Sequence, residues 1–125
     1  YALQFELQFG SIALDDKNWV VDFGGLKELK EWLKYMFDHT YLLASDDPHL
    51  DDFKKMHELG TMNINVMDVD QGWGPGIEAS CKFVYDNVAP IISEKTNGRV
   101  KVSRVEIWEH DLNSAIYEYN VEENN

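Results

Sequence analysis

A chain of 125 residues can build one hydrophobic core that buries roughly two-thirds of its unfolded surface, and is too short for two, so a single domain over 1–125 is expected. It is 44% hydrophobic and 13% aromatic, with no apolar run near the length a bilayer span requires, which excludes a transmembrane helix. Twenty-three acidic against eleven basic residues, a formal charge of −12, exclude nucleic acid and anionic membrane as expected partners, although a small anion is still allowed because salt screens the distant field within about 10 Å.

Cys81 is the only cysteine, so no intramolecular disulfide is expected and the reading is a reducing compartment, by default the cytoplasm. The sequence opens at Tyr1 with neither Met nor a charged-then-apolar leader and reads as a fragment of a longer frame.

Tyr1 to Phe9 alternates strictly, with Tyr1, Leu3, Phe5, Leu7 and Phe9 on one side, and predicts a half-buried strand. After a polar break, Trp19 to Phe23 is a short apolar, β-branched run that predicts a second strand. Leu26, Leu29, Leu33, Met36 and Phe37 then recur at helical spacing, with lysines and glutamates between them. Pairs such as Lys27/Glu31 and Lys30/Lys34 are mixed in sign, so the helix rests on its apolar stripe. It is expected to end at Asp38-His39, with Tyr41 to Leu43 leading into a polar loop at Ser45 to Pro48.

Leu50 to Leu59 reads as a short surface helix and Met62 to Met67 as a short strand. Gln71 to Gly76, with three glycines and a proline, is a turn-rich connector able to line a pocket. In the next helix Ile77, Cys81, Val84, Val88, Ile91 and Ile92 form the expected buried stripe, Glu78 suits the positive end of the dipole, and Pro90 is expected to bend or end it. Asn97-Gly98 marks a turn, Val100 to Trp108 and Ala115 to Val121 read as strands, and Glu109 to Ser114 joins them. Strands at both ends and helices in the middle imply an α+β antiparallel sheet with two helices on one face, and Glu122 to Asn125 reads as a frayed tail.

Three residues carry candidate chemistry. Asp38 beside His39 is the combination of carboxylate and imidazole that acid–base catalysis uses, although from spacing alone the pair is more simply a helix C-terminus where the dipole favours His. Glu109, where a strand meets its loop, can take two parallel hydrogen bonds from a guanidine-like group such as a 2-amino-pyrimidinone edge, against the plainer reading of a solvated turn glutamate. Cys81 falls on an apolar stripe and reads as a packing residue. The histidines His39, His49, His57 and His110 show no local zinc-ligand spacing, so no metal ligand is assigned, and the acidic run around Asp46 to Asp52 reads as a solvated loop.

Four segments taken in order, Trp19 to Lys27 (WVVDFGGLK), Phe37 to Leu42 (FDHTYL), Gly74 to Ala79 (GPGIEA) and Ile107 to His110 (IWEH), resemble the 6-pyruvoyl-tetrahydropterin synthase family, most of all its bacterial 6-carboxytetrahydropterin synthases of the queuosine pathway. The resemblance implies a T-fold (tunnelling fold) and a homo-oligomer, trimeric or hexameric, with sites at subunit interfaces. It implies a lyase acting on 7,8-dihydroneopterin triphosphate, with Asp38 and His39 as acid–base pair and Glu109 as pterin anchor. The family's threonine-containing segment before the second helix appears here as Pro75 to Glu78.

The resemblance also implies a catalytic zinc, held by histidines of a first strand and of a C-x3-H-x-H segment just ahead of the strand matching Tyr1 to Phe9. Those residues and that strand are not in this sequence, so the chain as given is expected not to bind the zinc and to be inactive. The alternative is a T-fold that binds pterins or purines without catalysis, or serves only as a structural oligomer.

Overall fold

The computed structural model describes residues 3–11, 13, 26–109 and 113–118. The expected strand at Trp19 to Phe23, the end of the last expected strand, His110 and the acidic tail lie outside the described residues. In chain order the elements are β1 (Leu3–Ser11), α1 (Lys27–Phe37), β2 (Thr40–Ala44), α2 (Leu50–Glu58), β3 (Asn63–Met67), a 3-10 turn (Val69–Gln71), α3 (Ile77–Lys95), β4 (Val100–Glu109) and β5 (Asn113–Glu118). The architecture is α+β.

β1, β4 and β5 form an antiparallel sheet in the order β1-β4-β5. The central strand is the most buried. Its Val100, Val102, Val105 and Ile107 are all buried, and the change of parity between Val102 and Val105 marks a bulge at Ser103, where the register with β1 shifts between Gln8 and Phe9. Without that extra residue one pair of these side chains would face solvent. On the opposite face Arg104 ties the three strands together, 2.9 Å from Glu106, 3.5 Å from Glu118 and 3.8 Å from Glu6.

α3 lies on the apolar face through Cys81, Val84, Val88 and Ile92. Two expectations for it change: of the bend or early end expected at Pro90 the early end does not occur, and the buried stripe is shifted. The helix runs on to Lys95 through Pro90, because the proline is on the exposed side while Val88 and Ile92 are buried on either side of it, so packing offsets the lost backbone hydrogen bond. The stripe is also displaced: Ile91 is 41% exposed, whereas Phe83 is buried facing α1. Phe83 meets Trp32 at a centroid distance of 5.6 Å, Phe37 at 5.9 Å and Trp73 at 5.1 Å, and Phe37 in turn meets Phe5 of β1 at 4.9 Å. This aromatic chain seats α1 beside α3.

The segment Tyr41 to Leu43, read as the approach to a loop, is instead part of β2, which pairs in parallel with β3 from Thr40↔Asn63 to Ala44↔Met67. A parallel pair needs a crossover. Here α2 supplies it, so there are three helices among the described residues, of which α1 and α3 contribute to the main core while α2 packs on β3.

Cys81 is fully buried, its thiol donates to the Ala115 carbonyl at 3.2 Å, and burial pushes the thiol pKa up to about 11. Only the thiolate alkylates readily. Treatment with iodoacetamide near pH 8 is therefore expected to leave Cys81 unmodified in the folded chain and to label it fully in denaturant; equal labelling in both states would contradict its burial.

Candidate functional site

Asp38 and His39 are set by the way α1 ends. The Asp38 N–H donates to the Lys34 carbonyl at 2.8 Å as the last helical bond, and His39 then takes a left-handed conformation with φ 51°. Glycine usually fills that position, because a Cβ is disfavoured there. A non-glycine residue held at positive φ stores backbone strain, and such strain concentrates at functional sites. The Thr40 hydroxyl lies 3.0 Å from the Asp38 carbonyl and 3.2 Å from that of Tyr35, so it fastens the reversal.

The two side chains are close but loosely joined. His39 Nε2 is 3.7 Å from Asp38 Oδ1, beyond hydrogen-bond length, and the imidazole is 93% exposed. As a lone chain this is a helix end with a carboxylate and an imidazole projecting from it.

Asp38 and Lys34 line two grooves. One, of about 290 Å³, has an apolar floor of Leu3, Phe5, Leu33 and Phe37. The other, of about 560 Å³, has a mixed lining in which Thr40, His57, Asn63 and Asn65 sit beside Met36, Ile64 and Val66. The Asn65 amide donates to the Met36 carbonyl at 3.2 Å, which fixes β3 against the end of α1.

Glu109 is the last residue of β4 and lines a third depression, of about 540 Å³, with Gly76, Ile77, Glu78, Asn113 and Ser114. The pattern of alternation puts Glu109 on the same sheet face as Ile107, the face that carries the helices. Its cross-strand partner is Leu3. Because Leu3 also floors the apolar groove beside Asp38, the Glu109 and Asp38 carboxylates stand at the same end of the molecule. The sheet register sets the two carboxylates, each in its own depression, at one end of the sheet; no spacing in the sequence does.

Sequence reasoning missed one residue here. Glu78, read only as a favourable charge at a helix start, shares the depression with Glu109 and supplies a second carboxylate. Its position in the first turn of α3, just after a glycine connector, was the available signal.

The connector is tied to α3 by side chains. Trp73 Nε1 donates to Asp86 Oδ2 at 2.9 Å, Lys82 Nζ donates to the same oxygen at 2.6 Å and to the Gln71 carbonyl at 2.9 Å, and the buried Ser80 hydroxyl donates to the Gly74 carbonyl at 3.0 Å.

Among the described residues no three of His, Cys, Asp and Glu form a group that could hold a metal ion. The described residues therefore offer no donor set that fits the zinc the resemblance implies.

The sequence profile of the 6-pyruvoyl tetrahydropterin synthase family matches residues 1–120. The chain is 31% identical over 114 residues, 90% of its own length and 68% of the relative's, to 6-carboxy-5,6,7,8-tetrahydropterin synthase of Aquifex aeolicus (strain VF5). It superposes on the crystal structure of an uncharacterized Wolinella succinogenes protein, WS1659, with a TM-score of 0.76 at 18% identity, over 94% of this chain and 77% of that one, a likeness of fold. The sheet with its two core helices agrees with the T-fold, and the profile extends over nearly the whole chain: it belongs to the 6-pyruvoyl tetrahydropterin synthase family.

Proposed function

We propose that the chain carries the ring-holding and proton-moving part of a 6-carboxytetrahydropterin synthase-like site, whose substrate is a dihydropterin with an oxygenated side chain, such as 7,8-dihydroneopterin triphosphate. The observation that carries this reading is the register Leu3↔Glu109, which puts Glu109 at the same end of the sheet as the groove holding Asp38. Glu109 accepts two parallel hydrogen bonds from the ring N–H and the 2-amino group. Asp38 orients the His39 imidazole, which gives or takes a proton at the side chain of the bound ring. The exposure of His39 supports a site completed by a neighbouring copy in a trimer or hexamer.

A second reading, a T-fold that binds a pterin or purine ring without turning it over, is favoured by the 3.7 Å gap between Asp38 and His39, which is beyond hydrogen-bond length. Both readings use Glu109.

Calorimetric titration with pterin and with lumazine, which has an oxo group in place of the 2-amino group, tests the recognition step. Pterin is expected to bind at least about tenfold more tightly, because lumazine loses a donor worth about 1.5–3 kcal/mol to a charged acceptor. Equal affinities would remove the 2-amino edge from the account.

A further inference from the structure

The connector Gly72 to Gly76 contains three glycines and a proline, a composition that permits many backbone courses. One course is selected, and it matters, because the connector ends at Gly76, which with Glu78 in the first turn of α3 lines the same depression as Glu109. Of the three side chains that hold it to α3, two converge on a single carboxylate oxygen, that of Asp86.

We infer that Asp86 is a positioning residue for the Glu109 site: it holds Trp73 and Lys82, and through them the connector that ends at the pocket. This inference rests on the pterin-binding reading proposed above.

The Lys82–Asp86 pair is one helical turn apart on α3, at side-chain exposures of 35% and 29%. Partial burial and a bond of 2.6 Å make it a charge-assisted contact, unlike a freely solvated surface pair. The Lys82 stem passes over Gly72, where φ is 82° and an added Cβ would sit 3.2 Å from Lys82 Cδ. Any side chain at Gly72 would be strained and would push the lysine from its place. Trp73 also has an edge on Phe83, which touches Phe37, the residue before Asp38. The tryptophan held by Asp86 is thus in the packing that supports both halves of the candidate site.

The test is pterin affinity in Asp86→Leu, Asp86→Asn and Gly72→Ala, measured by calorimetry well below each variant's melting transition, beside hydrogen exchange at residues 72–78. Asp86→Leu breaks both contacts and is expected to weaken pterin binding about tenfold and to speed exchange in the connector. Asp86→Asn keeps an acceptor for Trp73 but releases the charge on Lys82, so about a threefold loss is expected. Gly72→Ala reaches the same clamp without touching the carboxylate and is expected to weaken binding in the same direction. A lower melting temperature with unchanged affinity in the folded variants would show a purely structural role and overturn the inference. Failure of the wild-type chain to bind pterin would overturn the proposed function and this inference together.

Discussion

Replacing Glu109 with Gln is expected to weaken pterin binding by about 2–4 kcal/mol, roughly 30- to 700-fold, while leaving the melting temperature nearly unchanged. The substitution keeps size and shape but exchanges an acceptor-only carboxylate for an amide. One oxygen still accepts, but the amide NH₂ now meets a donor of the ligand, so a favourable bond becomes a donor–donor contact. The fold should be indifferent, because Glu109 ends its strand at the rim of an open depression and β4 is held by the buried residues before it. Calorimetry on the variant reads the first effect and thermal denaturation the second. Pterin affinity within threefold of wild type would remove Glu109 as the anchor, and a large loss of stability would mean its role is structural.

Phe83→Ala is expected to be the most damaging single truncation in the core. Phe83 is 5% exposed and its ring touches Trp32 and Phe37 on α1 and Trp73 on the connector, so its removal opens a cavity where three segments meet. Phe→Ala at such positions costs about 3–5 kcal/mol. In a domain of this size that corresponds to a fall in melting temperature of about 10–20 °C. A fall of only a few degrees would show that α1 is held by other contacts.

Much of the fold was legible as periodicity. β1 alternates, β4 reads as a strand, and α1 repeats its apolar residues every three or four positions, whereas the bulge at Ser103 emerges only from the pairing with β1. The parallel pair was not legible. β2 is five residues between a helix end and a polar turn, and its partner comes only after α2, so no local pattern announces the pairing. Pro90 misled because local propensity was weighed without knowing that the proline faces outward while its neighbours are buried.

The candidate site divides in the same way. Asp38, His39 and Glu109 could be singled out by residue type and by resemblance, but their shared end of the molecule follows from the β1–β4 register, a long-range property. Glu78 and the clamp of Trp73, Lys82 and Asp86 depend on where a glycine-rich connector folds back, and its composition leaves that course open.

The central claim, that Glu109 anchors a pterin ring at the end of the sheet shared with Asp38 and His39, is tested most directly by a crystal structure of the chain with pterin bound. The account predicts the 2-amino group and the adjacent ring N–H at about 2.7–2.9 Å from the two Glu109 carboxylate oxygens. A ring seated elsewhere, for example in the groove beside His57 with Glu109 free of it, would contradict the account.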